Sequence, residues 1–412
     1  MSPSGRSGPL GRIGEALELA LRSGAAPVVL GARLAERLRQ PHPPDLPPRQ
    51  RGFALASKVA LDEFFFTTEI LSASFVSLRD HRRMARELRD ALALFSRRGW
   101  LDDPASYHRN PPALEIASVD ELRSHWLPHR HLRFESGYEP HAGEPGRARW
   151  LGYAANRSAH ARLLKHPGRA RPWLVCIPGY RMGHALIDFA GFRVRWLHRT
   201  LGLNVAIPVM PLHGPRRVGR RGGDGFFTGD FIDTIHAQAQ AVWDVRRLVG
   251  WLRAQGAPAV GVYGLSLGGY TTALLASLER GLDCAVVGIP TTDFMRLLRA
   301  HLPGFVERAA LRVGLPFSEI ERLLRVISPL ALAPQIPHER RFVFAGLADQ
   351  LAAPDHAHDL WHHWERPRVA WYHGSHISFL WEADVKALLE EAFAATGLLR
   401  GGRGAGAAPE RG

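Results

Sequence analysis

The second half of the chain alternates short apolar runs with helix-like segments, and that alternation restricts the fold more than any other feature. The runs are "RPWLVCIPGY", "LNVAIPVMPLHG", "APAVGVYGLS", "LDCAVVGIP", "RRFVFAGLAD" and "RVAWYHGSH", several of them ending in Gly, Pro or Asp. Between the later ones lie "FRVRWLHRTLG", "FIDTIHAQAQAVWDVRRLVGWLRAQG", "GGYTTALLASLERG" and "HAHDLWHHWE". Strands that are apolar on both faces must be covered on both faces. Apolar strands alternating with helices therefore predict an α/β fold with a mostly parallel sheet between two helical layers. "HLRFESGYEP" and "RARWLGYAANRSA" read as two further strands, separated by the turn "HAGEPG". Residues 293–337 interrupt the alternation with a helical insertion.

Residues 1–115 read as a helical N-terminal region. A helical pattern surrounds Leu17, Leu19, Leu21, Leu34 and Leu38, and a proline-rich linker near 41–48 ends it. From Phe53 to Phe95 the pattern is helical again, and the amphipathic "DHRRMARELRDALALFSRRGW" meets a stop at Gly99. The expected division is thus a helical region over 1–115, an α/β domain over 116–400, and a disordered tail over 401–412.

Composition removes several functional classes. Hydrophobic residues make up 46% and charged residues 22%, enough for a sizeable core. No uninterrupted apolar run reaches the roughly 18 residues of a membrane span. Glu15, Glu18 and Arg22 break the first apolar stretch, which argues against a signal peptide and for a cytoplasmic protein. Cys176 and Cys284 both sit in strand-like settings, where buried reduced thiols are expected. The net charge of +14 comes almost wholly from arginine. Such a balance could serve nucleic acid, an anionic membrane or an acidic substrate. No nucleic-acid motif accompanies it, so nucleic acid is set aside. Peripheral contact with an anionic membrane stays open.

"AVGVYGLSLGGYTTALLA" carries the chemistry. Gly264, Ser266 and Gly268 fit G-x-S-x-G at the point where a β-branched and aromatic strand gives way to a helix. On such an elbow the hydroxyl projects from the carboxyl edge of the sheet, and the Leu267 N–H faces any oxyanion formed there. A serine needs a base, and the base an orienting acid. Asp349 and His376 follow later strands, in the order Ser, Asp, His. Asp293 and Asp355 are rival acids, and His373 is a rival base. Gly179 in "IPGYRMGH" allows close backbone approach, which nominates the Tyr180 N–H as a second oxyanion donor.

With these motifs, residues 130–398 resemble an α/β-hydrolase-fold serine hydrolase. The segments "IPVMPLHGPRR" and "ISPLALAPQIP" add to the likeness. "DEFFFTTEILSA" and "GWLDDPASYHRNPP" are similar in texture to the α/β-hydrolase domain-containing protein 18 group. The resemblance implies hydrolysis of a small-molecule or lipid ester through an acyl-enzyme, without a cofactor, the helical insertion forming a cap. A catalytically silent hydrolase fold, serving as a binding or membrane-peripheral module, is the alternative.

Two other clusters stand out. Arg216, Arg217, Arg220 and Arg221 leave the sheet at the catalytic edge and could hold an anionic substrate. His358 and His362 have the i, i+4 spacing of metal ligands, but no third ligand is evident, so no metal site is expected.

Overall fold

The computed structural model describes residues 43, 45–48 and 78–399, apart from 116, 123–126, 228, 229, 302 and 303. The helical patterns expected before residue 78, residues 41, 42 and 44 of the proline-rich linker and the tail 401–412 lie outside the described residues.

Nine strands form one sheet: β1 (Ser118–Leu122), β2 (His129–Glu135), β3 (Ser158–Leu164), β4 (Trp173–Ile177), β5 (Asn204–Pro208), β6 (Val260–Leu265), β7 (Cys284–Gly288), β8 (Arg341–Gly346) and β9 (Arg368–Tyr372). Their spatial order is β1-β2-β3-β5-β4-β6-β7-β8-β9. The pairs from β1 to β5 are antiparallel, and the β5-β4-β6-β7-β8-β9 run is parallel throughout. The order reverses at β4, so the loops after β4 and β6 open on opposite sides of a crevice at the carboxyl edge, where open α/β sheets bind ligands.

The two-residue period of a strand divides the core. Val175, Val262, Val287 and Val343 face one cluster, with Val242 and Leu274 from the helices above them. Cys176, Tyr263, Val286 and Phe344 face the other, with Leu197, Leu388 and Phe393 below. The helices of the first layer include α1 (Leu78–Arg97), α4 (Phe231–Ala254) and α5 (Leu267–Ala276). The second layer includes α10 (Ala383–Ala395). Both cysteines are buried and free.

Between β7 and β8 lie α6 (Phe294–His301), α7 (Gly304–Arg312) and α8 (Phe317–Leu324). The amphipathic α1 packs on α4 and α8, its Leu88, Ala91 and Phe95 joining the core. It ends at Gly99, whose φ of +73° lets the Trp100 N–H turn back to the Phe95 carbonyl (2.9 Å).

One expectation fails. "RARWLGY" is not a strand but the short helix α2 (Arg147–Gly152). Gly146, at φ +73°, reverses the chain just before it. Trp150 is then buried with its Nε1–H donating to Gln240 Oε1 (2.9 Å), while Arg149 turns to an acidic cluster on α4. Apolar content alone cannot separate a one-turn helix from a strand. Two further helices are α3 (Ala185–Gly191) and α9 (Pro354–His363). No helix among the described residues is long and apolar enough to cross a membrane.

Candidate active site

Ser266 stands between β6 and α5 with φ 56° and ψ −115°. A positive φ at a non-glycine residue is strained, and surrounding structure must hold it. That hold is visible. The Ser266 N–H donates to the Gly288 carbonyl (2.9 Å), and its own carbonyl accepts the Tyr270 N–H (2.9 Å). A Cβ at Gly264 would lie 2.0 Å from the Gly268 oxygen, and one at Gly268 would lie 1.9 Å from the Ile177 oxygen. Both glycines are therefore required for strand, turn and helix to approach so closely. Leu267 is the first residue of α5, so its N–H has no acceptor within the helix.

The loop after β4 runs beside the elbow. A Cβ at Gly179 would sit 3.4 Å from Ser266 Cβ. The Gly179 N–H donates to Met182 Sδ (3.1 Å), and Tyr180 follows on the cavity wall. The loop is braced from behind. The Gly183 N–H donates to Asp188 Oδ1 (2.8 Å), and the Arg162 guanidinium pairs with Asp188 Oδ2 (2.5 Å). Burial nonetheless lifts the Asp188 carboxyl to about 6.

Asp349 and His376 lie in the loops after β8 and β9. Backbone bonds join those loops: the Leu347 N–H donates to the Tyr372 carbonyl (2.9 Å) and the Ala348 N–H to the Gly374 carbonyl (3.0 Å). Asp349 is buried, and its Oδ1 accepts the N–H groups of Leu351 (2.9 Å) and Ala352 (2.8 Å). Its Oδ2 accepts the His376 Nδ1–H (2.6 Å). This sets the imidazole tautomer, with the proton on Nδ1 and Nε2 as the ring's acceptor. Ser266, Leu267, Tyr180 and His376 line one cavity of about 1500 Å³.

The rivals are placed elsewhere. Asp293 caps α6, its Oδ1 accepting the N–H groups of Met295 and Arg296 (both 2.9 Å). Asp355 falls in the first turn of α9. His373 directly follows β9 and is not among the residues lining the cavity.

The arginine cluster divides. Arg220 and Arg221 are exposed on the cavity mouth, and Arg217 is exposed away from it. Arg216 is a correction to the expected substrate-binding set: it is fully buried. Its guanidinium donates to Asp244 Oδ2 (2.8 Å), the Val209 carbonyl (3.0 Å) and the Asn156 carbonyl (3.0 Å). A buried cation needs such partners, and here it ties the loop to α4. The signal was Asp244, an acid on an otherwise buried helix face that required a cation.

Sequence reasoning also missed much of the cavity wall. Met182, Phe227, Phe294, Leu297, Leu298 and Leu380 make it largely apolar. Arg181, paired with Asp224 (2.7 Å), stands at the mouth. A charged network closes another side. Arg149 pairs with Glu87 (2.7 Å) and Asp233 (2.8 Å), and Arg83 pairs with Asp230 (2.7 Å). These residues come from α1, α2, α4 and its cap Asp230, far apart in sequence.

Three buried histidines make the fold acid-sensitive. Burial lowers His213 and His236 to about 4 and His356 to about 3. His213 packs edge-on against Tyr180, and His356 Nδ1 accepts the Thr292 N–H (3.2 Å). In the native state these rings stay neutral while the unfolded chain takes up protons below its ordinary value near 6.5. The stability they contribute is full above pH 6.5 and is lost as pH falls toward 4. The expected loss at pH 5 is on the order of 1–2 kcal/mol per histidine. Thermal unfolding of the native chain and of His356→Asn, each followed from pH 7.5 to 5, checks this, because buried carboxyls such as Asp188 shift both chains alike; an equal shift of the two midpoints would show that the ring takes up its proton alike in the folded and unfolded chain.

No family model matches the chain. It is 40% identical over 359 residues to Uncharacterized protein Rv2627c of Mycobacterium tuberculosis (strain ATCC 25618 / H37Rv), covering 87% of this chain and 86% of that one. The identity and coverage are the same for Uncharacterized protein MT2702 of Mycobacterium tuberculosis (strain CDC 1551 / Oshkosh). Among solved structures, Acetyl Xylan Esterase 1 from Thermoanaerobacterium sp. JW/SL YS485 superposes with a TM-score of 0.50 at 16% identity, covering 73% of this chain and 92% of that one. At that identity the likeness speaks for the fold alone. With the mostly parallel sheet and its helical layers, it makes this an α/β-hydrolase fold, and the chain belongs to the family of the mycobacterial protein Rv2627c.

Proposed function

We propose that the protein is a serine hydrolase that cleaves a carboxylic ester through an acyl-enzyme. The observation that carries this reading is the strained Ser266 elbow opening on the same cavity as the His376–Asp349 pair. Ser266 Oγ attacks the ester carbonyl while His376 Nε2 takes its proton. The N–H groups of Tyr180 and Leu267 stabilise the oxyanion, and collapse expels the alcohol with the proton from His376. Water, deprotonated by His376, then attacks the acyl-enzyme; the acid leaves and Ser266 regains its proton. Asp349 holds the ring and balances its transient charge.

The apolar wall suits a long or bulky acyl group, and Arg220 and Arg221 suit an anionic alcohol portion. Leu186 (57% exposed), Ile187 (50%) and Trp381 (71%) surround or adjoin the mouth, which fits a substrate met at an anionic lipid surface. The buried free thiols fit a reducing cytoplasm. The narrower kinship with the α/β-hydrolase domain-containing protein 18 group stays part of this proposal.

A fluorophosphonate probe tests the reading. It should label the native chain and not Ser266→Ala; a folded native chain that resists labelling would favour a silent binding module. Charge preference has its own test. Because Arg216 is a core residue, the rim variant is Arg220→Gln with Arg221→Gln. We expect it to raise KM for an anionic ester by about three- to tenfold while leaving a matched neutral ester unchanged, and the native preference to shrink as salt shortens the Debye length from about 10 Å to about 3 Å. Equal effects on both esters would make the rim a solvated surface.

A further inference from the structure

Away from the cavity, α9 carries His358 and His362 one turn apart on one face. Their Nε2 atoms lie 3.1 Å apart. Each also lies 2.7 Å from a different oxygen of Asp45, 313 residues upstream of His358. Asp45 sits in a short turn closed by the Leu46 N–H on the Pro43 carbonyl (3.1 Å), and Leu46 is buried at 5% exposure. The acid is therefore held against α9 by an anchored neighbour.

Protons satisfy this arrangement poorly. The carboxylate can only accept, so both rings must aim an Nε2–H at it, and the two N–H groups then face each other at 3.1 Å. One divalent cation at the centre would replace both protons and take a lone pair from each group. Ligand atoms around tetrahedral zinc, with bonds of about 2.0–2.2 Å, stand about 3.3 Å apart. The cluster need open by only about half an ångström to reach that spacing. Two imidazoles and one carboxylate suit zinc rather than magnesium or calcium.

We propose that Asp45, His358 and His362 bind one Zn²⁺ per chain, with solvent in the fourth position, and that the metal clips the proline-rich connector to α9. The role is structural. None of the three residues lines the catalytic cavity. Asp359, at the place of the glutamate in H-E-x-x-H, pairs with Arg296 Nη2 (2.6 Å) instead. Arg366 Nη2 lies 3.8 Å from Asp45 Oδ2 and 3.5 Å from His362 Nδ1. That cation competes for the carboxylate and keeps the affinity below that of a closed four-ligand site.

The test uses the full chain, stripped with a chelator and titrated calorimetrically with zinc chloride, with magnesium chloride as the control. Limited proteolysis of residues 41–50 with and without zinc reads the clip, and circular dichroism verifies that each variant folds. The native chain should bind one zinc and become slower to cleave. Asp45→Asn should weaken binding at least about tenfold, since a direct ligand is lost, and abolish the protection. His358→Gln with His362→Gln should remove binding. A native chain without saturable one-to-one binding overturns the site. Zinc bound by Asp45→Asn at native affinity, or binding that leaves cleavage unchanged, overturns the clip.

Discussion

Ester hydrolysis by Ser266→Ala is expected to fall by at least about a thousandfold, a loss of about 4 kcal/mol of transition-state stabilisation. The reason is local. Ser266 is the hydroxyl on the strained elbow, and alanine removes the attacking oxygen without disturbing what holds the turn. The Ser266 N–H and carbonyl bonds to Gly288 and Tyr270 are made by the backbone. The close approaches at Gly264 and Gly268 do not involve its side chain. The variant should therefore keep its circular dichroism and melting behaviour. Retention of most activity by a folded variant would remove Ser266 from the mechanism, and another nucleophile would have to be sought in the same cavity.

Asp349→Asn is expected to cost about a hundred- to ten-thousandfold in kcat while the fold persists. The asparagine oxygen can still accept the Leu351 and Ala352 N–H groups, so the loop after β8 keeps its shape. Its amide then faces His376 Nδ1 in place of Oδ2 and donates there. The imidazole proton shifts to Nε2, and the ring can no longer accept the Ser266 proton. Asp293→Asn is the comparison. That acid caps α6, so the change should cost at most about 1 kcal/mol of stability and leave kcat within about twofold. The opposite ranking of the two variants would move the acid to the loop after β7.

Much of the fold was legible because its causes are local. Strands such as β4, β6, β7 and β8 are apolar on both faces, and only a sheet sandwiched between helices can bury both. That Ser266, Asp349 and His376 lie at one edge was legible because each follows a strand run, and strand ends on one edge of a parallel sheet meet in space. "RARWLGY" was misread because its fate hangs on the left-handed turn at Gly146 and on a hydrogen bond to Gln240, 90 residues away.

The sequence by itself determined the layered sheet, the glycines of the elbow and the order of the three polar residues, since periodicity and steric crowding act between neighbours along the chain. Only the tertiary structure decided how like residues are used. It sent Arg216 into the core, because Asp244 was buried and needed a cation, and left Arg220 and Arg221 at the mouth. It assigned Asp293 to a helix end and Asp349 to His376. It brought Asp45 to His358 and His362 across 313 residues. Charge pairing and desolvation act through space, and no pattern along the chain records which distant partner will be near.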